Sequence, residues 1–428
     1  MSKLEELINE LCPDGVEYKK VGEFCDKITD YTAAGSFADI AKNVKYINGE
    51  KGFAQLVRTT DLKSSFMHED KFVYVDENAF NYLWRVNLDS EALVLPNVGN
   101  CGEVYYVTPD IFKNNKNVLG PNAILVKSDK VNMRFLYHIF LNNEFQNNLI
   151  KITSSTGQTK FNKTNFKELT VPIPPLPVQR EIVRILDNFT ELTSELTSEL
   201  TAELTARKKQ YEYYREQLFN LNEETVDYLC LGDETVGKFT RGSGLQKKDF
   251  TNTGVGCIHY GQIYTYYGTY TDKTKTFVSE EFAQKARKAK CGDLIIATTS
   301  ENDEDVCKAV AWLGCEEIVI SSDACFYAHN LQPKYVAYFF KTERFQKQKR
   351  PLINGTKVRR VNVDNLARIK IPIPTLTEQQ RIVDILDRFD TICNDISRGL
   401  PAEIKARQQQ YEYYRDKLLT FPKAKSEV

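Results

Sequence analysis

The sequence predicts an α+β protein: two mixed α/β modules joined and separated by two long antiparallel helices, with internal pseudo-twofold symmetry. Three observations predict it. A segment opening on a proline-punctuated strand recurs after 200 residues without a gap. Each copy continues into a helix carrying an aliphatic residue at every fourth position. The stretches ahead of the two copies are rich in short β-type runs and share little sequence with one another.

The repeat comes first because it sets every boundary. VPIPPLPVQREIVRILDNF begins at Val171 and IPIPTLTEQQRIVDILDRF at Ile371. RKKQYEYYREQL begins at Arg207 and RQQQYEYYRDKL at Arg407. A fainter echo lies upstream, where Val16-Glu17-Tyr18 and Val21-Gly22-Glu23 match Val226-Asp227-Tyr228 and Leu231-Gly232-Asp233. The chain therefore divides into a lead-in (1–20), a first module (21–170), a central repeat helix (171–220), a second module (221–370) and a C-terminal repeat helix (371–428). Equal frames around unlike inserts suggest one scaffold presenting two different readers.

Within the modules, KFVYV, EALVLP, EVYYV and NAILV read as strands of the first. GCIHYGQIYTYYGTY, GDLIIATT and EIVIS read as strands of the second. Each module closes with a short helical stretch, from Met133 to about Leu149 and from Lys334 to about Lys349. Pro172-Ile173-Pro174 and Pro372-Ile373-Pro374 then block helix, and a helix starts at once, with Pro177 suited to its first position. Ile182, Ile185, Leu186 and Phe189 share one face, as do Ile382, Ile385, Leu386 and Phe389. Leu192, Leu196, Leu200 and Leu204, mirrored by Ile392, Ile396, Leu400 and Ile404, continue a seam for another helix. From Pro177 to about Asn220 the first helix would span roughly 65 Å. Gly399 and Pro401 predict an interruption in the second.

Composition narrows the function. No apolar run approaches the ~20 residues of a membrane span, and MSKLEELINEL is not a secretion signal. Ten cysteines without a C-x-x-C pair are expected as reduced thiols of a cytoplasmic protein. Four histidines without ligand spacing suggest no metal site. The net charge of −1 excludes a uniformly basic surface. Between Leu331 and Lys370, however, Arg344, Lys347, Lys349, Arg350, Lys357, Arg359 and Arg360 concentrate positive charge suited to DNA phosphates.

Candidate contact residues follow from side-chain chemistry. Arg pairs with guanine edges, Asn and Gln with adenine, and Ser, Thr and Lys with phosphate. The turns after the module helices carry these types: Ser154, Ser155, Thr156, Gln158 and Lys160 in the first, Asn354, Thr356, Lys357, Arg359 and Arg360 in the second. Tyr260, Gln262 and Tyr264 alternate as base contacts would, or as an exposed strand with half-buried tyrosines would. No catalytic residues are expected. Gly232 to Lys238 nearly spells a phosphate loop, but Phe239 stands where Ser or Thr should. Pro13-Asp14 with Glu17 and Lys19 mimics a nuclease pattern with carboxylates only three apart. No S-adenosylmethionine fingerprint occurs.

The chain resembles the specificity subunits of type I restriction-modification systems over essentially its full length. The resemblance rests on the paired PIP-x-L-x-x-Q-x-x-I-V-x-I-L-D segments from Pro172 and Pro372, each ending in QYEYYR, and on the lead-in LCPDGVEYKKVG. It implies two target recognition domains reading halves of a split site in double-stranded DNA. It implies helices that act as a spacer and dock two modification subunits, with restriction (motor-nuclease) subunits added. The expected docking and helix-pairing face is Gln179, Ile182, Leu186, Phe189, Tyr211 and Tyr214, with mates Gln379, Ile382, Leu386, Phe389, Tyr411 and Tyr414. S-adenosylmethionine, ATP and Mg are expected on the partners and no cofactor on this chain. A helical scaffold with no DNA role is the alternative reading of the helix pattern.

Overall fold

The computed structural model describes residues 2–154, 157–394 and 399–424. The chain forms two compact units, one of Met1–Ser198 with Lys405–Val428 and one of Glu199–Ile404. No described helix is long and apolar enough to cross a membrane.

In the first unit, helix Lys3–Leu11 starts on a reciprocal cap between Ser2 and Glu5. Strand Tyr18–Lys20 then pairs antiparallel with Thr170–Pro172, the strand that feeds the repeat helix. A sheet follows in the order Lys27–Asp30, Ala123–Lys127, Ala92–Pro96, Tyr105–Val107. Its two faces feed different cores. Leu93, Leu95, Ile124 and Val126 pack with the helices, while Ala92, Val94, Ala123 and Leu125 face the second sheet. Burial on both faces explains why EALVLP and NAILV read as unbroken apolar runs rather than alternating ones. The second sheet runs Ile47–Asn48, Val73–Val75, Ala54–Val57, Asn117–Leu119.

The second unit repeats this plan. Strand Asp227–Cys230 pairs with Lys370–Ile373. The larger sheet runs Gly237–Arg241, Ala324–His329, Leu294–Ala297, Ala309–Trp312, Tyr270–Thr271. Leu294 and Ile296 face the helical core, and Ile295 and Ala297 face the other way. The smaller sheet runs Thr276–Val278, Val255–Ile258, Ile318–Ile320, Lys288–Ala289.

Each expected helical stretch before the turns is two helices. Met133–Leu141 is followed by Asn143–Ile152, and Pro333–Phe339 by Glu343–Lys349. The breaks fall at Asn142 and Thr342, whose side chains accept from the amides of Phe145 and Phe345 and so start a new helix.

The central repeat helix, Leu176–Leu218, is continuous over 43 residues and begins one residue before Pro177. At ~1.5 Å per residue it is about 65 Å long. The second copy comprises Leu376–Asn394 and Leu400–Leu418, with Pro401 in the first turn of the latter. The interruption expected at Gly399 and Pro401 leaves Gly399 just ahead of the second helix, and residues 395–398 lie outside the described residues.

Helix pairing is antiparallel. In the first unit Phe189 stacks on Tyr414 with centroids 6.0 Å apart. In the second its mate Phe389 stacks on Tyr214 at 5.5 Å. The chain end repeats the same closure. Tyr18 donates to the Phe421 carbonyl at 3.0 Å, and Tyr228 donates to the Leu221 carbonyl at 2.8 Å.

Candidate nucleic-acid interface

The two polar turns are small hairpins of the same design. Ser154 and Lys160 exchange backbone hydrogen bonds at 2.9 and 3.4 Å, and Asn354 and Arg360 do so at 2.8 and 2.9 Å. Each hairpin is stitched to the loop that follows a central sheet strand. In the first unit Gly99 N–H donates to the Thr159 carbonyl at 2.8 Å, and Phe161 N–H donates to Asn97 at 3.1 Å. In the second, Thr299 and Ser300 pair antiparallel with Arg360 and Arg359. Buried aromatic and aliphatic anchors, Phe161 and Val361, fix the far side of each. The reversal in the second hairpin uses Gly355 at φ +95°, where a Cβ would lie 2.1 Å from the Val358 carbonyl.

On these frames Gln158 and Lys160 are exposed in the first unit, and Asn354, Thr356, Lys357 and Arg360 in the second. Ser154 and Arg359 are half-buried. Ser155 and Thr156 lie outside the described residues. Arg359 is held on both sides, its Nε by an Asp303 carboxylate oxygen at 2.9 Å and its Nη1 by the Gly355 carbonyl at 2.6 Å.

Tyr260, Gln262 and Tyr264 do not form a strand. Tyr260–Thr265 is a short helix. Its start explains why: the Gln262 side chain accepts from His259 N–H at 3.0 Å, a cap that strand geometry would forfeit. Gln262 also donates to the Thr276 hydroxyl at 3.0 Å, so it is committed internally. Tyr264 packs against the second core and donates to the Thr299 carbonyl at 2.7 Å. It thereby braces the strand that carries the hairpin.

The basic run also disperses. Lys349 is fully buried, and its ammonium donates to the carbonyls of Asp303, Glu304 and Val306 at 2.8, 3.1 and 2.9 Å. Arg350 pairs with Glu343 at 2.8 Å, and Arg344 pairs with Glu223 at 3.4 Å and lies over the Tyr228 ring. Lys347, Lys357 and Arg360 remain exposed. The loop Glu301–Asp305, which Lys349 pins, escaped the sequence reading.

The helix face divides sharply. Ile182, Leu186, Ile382 and Leu386 have no exposed surface and belong to the cores of their own units, so they cannot touch a partner. The apolar stripe covers the chain's own modules. Gln179 and Gln379 are buried staples: each accepts from a backbone amide, of Asn132 at 2.8 Å and Gln332 at 2.9 Å, and donates to the carbonyl of Pro174 or Pro374. Tyr211 is buried and Tyr411 half-buried. Phe189 (39%), Tyr214 (40%) and Tyr414 (41%) are exposed in part, beside the more exposed Tyr213 (61%) and Tyr413 (62%) that were not singled out.

A second repeated anchor ties each module to its helix. Asp187 holds Arg134 at 3.0 Å and the buried His138 at 2.9 Å. Asp387 holds Lys334 at 2.7 Å and Tyr338 at 2.6 Å. Burial outweighs the carboxylate and lowers the His138 pKa below its ordinary value.

Known proteins share this plan. The chain is 37% identical to a putative type I restriction enzyme specificity subunit of Haemophilus influenzae, covering 68% of this chain and 73% of that one. It is 34% identical to the Escherichia coli EcoR124I/EcoR124II specificity subunit, covering 61% and 65%. Among solved structures, a chain from a study of type I R-M complex assembly and conformational transition superposes with TM-score 0.67 at 15% identity, covering 95% and 98%. The HsdS subunit of Thermoanaerobacter tengcongensis gives TM-score 0.53 at 15% identity, covering 96% and 97%. The description "Type I restriction modification DNA specificity domain" matches twice, over residues 13–206 and 235–406. With both halves and most of its length matched, the chain belongs to the family of type I restriction-modification specificity subunits.

Proposed function

We propose that each unit reads one half of a bipartite site in double-stranded DNA through its hairpin and the adjoining loop. The repeat helices hold the two readers and dock two modification subunits. The observation that carries this reading is the pair of hairpins, 154–160 and 354–360, built on matching backbone pairings but armed with different side chains. Equal frames let both units approach DNA alike, and unlike side chains let them select different bases. Held by one scaffold, the two weak readouts add in free energy and multiply in specificity.

Docking falls to the exposed aromatic clusters, Tyr213 and Tyr214 with Phe389, and Tyr413 and Tyr414 with Phe189. Partly exposed aromatics at a helix pair suit the centre of an interface. The chain itself performs no chemistry in this reading. The modification subunits bring S-adenosylmethionine and methylate adenine, and the restriction subunits bring ATP and Mg.

Methylome sequencing of a host expressing this chain with its modification subunits tests the proposal. A split motif supports it, and an uninterrupted motif or none overturns it. Alanine at both Arg359 and Arg360 weakens binding to that site and flattens its salt dependence.

A further inference from the structure

We propose that Arg359 reads a guanine in the half-site of the second unit, with Asp303 as the positioning residue that aims its guanidinium. The inference rests on the DNA-reading proposal above and adds the base and the device.

A guanidinium reads guanine by presenting two N–H groups to O6 and N7 at once, so its orientation decides the contact. Arg359 is oriented from two sides. An Asp303 carboxylate oxygen forms an ion pair with it, 2.9 Å from Nε, and the Gly355 carbonyl takes one Nη1 hydrogen at 2.6 Å. Of five N–H groups, one is taken by Gly355 and four remain. The backbone beneath is equally fixed, because Arg359 is paired antiparallel with Ser300. The side chain is still one-third exposed, so a ligand can reach it.

The support extends behind Asp303. Its own carbonyl, with those of Glu304 and Val306, is gripped by the buried Lys349 ammonium. A buried ammonium is costly to desolvate unless it is fully hydrogen-bonded. Here three carbonyls satisfy its three donors, and the carboxylate that meets Arg359 stands on a loop anchored through its backbone. Asn302 and Asp305 close the same loop, with Asp305 N–H donating to the Asn302 side chain at 2.8 Å.

The charge balance separates base from backbone as the ligand. A phosphate arriving at Arg359 would meet the Asp303 carboxylate in direct contact with the same guanidinium, and the two anions would repel. A guanine edge is neutral and offers two acceptors, so the carboxylate disfavours it far less. The neighbouring Arg360, exposed and without such a counter-charge among the described ion pairs, is left for phosphate. The corresponding positions of the first unit hold Thr159, whose hydroxyl donates to the Gly99 carbonyl, and the core residue Leu149. The device thus belongs to the second unit, and its effect is confined to one half-site.

The test is competition binding by the complex with its modification subunits. The competitors are duplexes carrying the methylome-defined site with each base pair substituted singly. The wild-type complex is expected to discriminate against loss of a G·C pair in one half-site. Arg359→Ala should reduce that discrimination at least tenfold at that single position and leave the other half-site unchanged. Asp303→Ala and Asp303→Asn should both weaken discrimination at the same position, because each removes the carboxylate charge that pairs with the guanidinium. A uniform loss of affinity with a shallower salt slope in Arg359→Ala would mark a phosphate contact and overturn the proposal. Unchanged discrimination in Asp303→Ala would overturn the positioning role. No split motif for the wild-type complex would instead defeat the DNA-reading proposal on which this one rests.

Discussion

Deleting one tetrapeptide, Thr197 to Leu200, from the central helix should change the DNA gap between half-sites without unfolding either unit. The buried core residues of the helix end at Leu186 and resume at Tyr211. Among the described residues, none between 187 and 210 is buried. The deletion preserves the four-residue leucine spacing, joining Leu196 to the block that ends in Leu204. At ~1.5 Å and ~100° per residue, the helix loses about 6 Å and its end turns by about 40°. Against a rise of ~3.4 Å per base pair, that corresponds to one or two base pairs. Methylome sequencing of the deletion variant reads the result directly. The two half-site sequences should be unchanged and the unspecified gap altered by one or two positions. An unaltered gap in a folded, methylation-competent variant would refute the spacer role of this helix.

Three further outcomes are expected. Ile382→Asp places a carboxylate in a fully enclosed apolar site and should cost about 3–5 kcal/mol of stability, seen as a lowered thermal midpoint. Loss of partner binding with an unchanged midpoint would contradict its assignment to the core. Tyr213→Ala with Tyr413→Ala should leave the midpoint within a few degrees and reduce co-purification of modification subunits, since both rings are mostly exposed; undiminished co-purification would remove these clusters from the docking face. Burial pushes the His329 pKa down to about 4 from its ordinary 6.5. The folded state therefore binds this proton more weakly than the unfolded state. Its contribution is complete above pH ~6.5 and is lost as pH falls toward 4, by up to ~3 kcal/mol. Denaturation midpoints of wild type and His329→Asn between pH 7 and pH 4.5 should converge as the pH falls, and a constant difference would refute the assignment.

What was legible in the sequence was periodic and local. The repeat at 200 residues marked both helices, and Pro172 and Pro372 marked where strand gives way to helix. The β-type runs of both modules announced their central strands. Local signals went unread where two periods competed. Tyr260 to Tyr264 alternates like a strand, but the cap formed by Gln262 on His259 starts a helix. Asn142 and Thr342 are residue types that favour helix starts, but each sits inside a continuous apolar-periodic run that reads as one helix.

Burial was the larger gap. An apolar stripe states that a helix face is covered, not by what, so Ile182 and Ile382 fitted a partner as well as the chain's own core. Lys347 and Lys349 stand two residues apart in one basic run, yet one is exposed and the other is enclosed by the carbonyls of Asp303, Glu304 and Val306. The amino-acid order alone determined the duplicated architecture, because hydrophobic period and proline position act within a few residues. Only the tertiary structure decided which charges face solvent and which are already matched. A desolvated charge takes its partner from wherever the fold brings one, and for Lys349 and Arg359 that partner lies some fifty residues upstream.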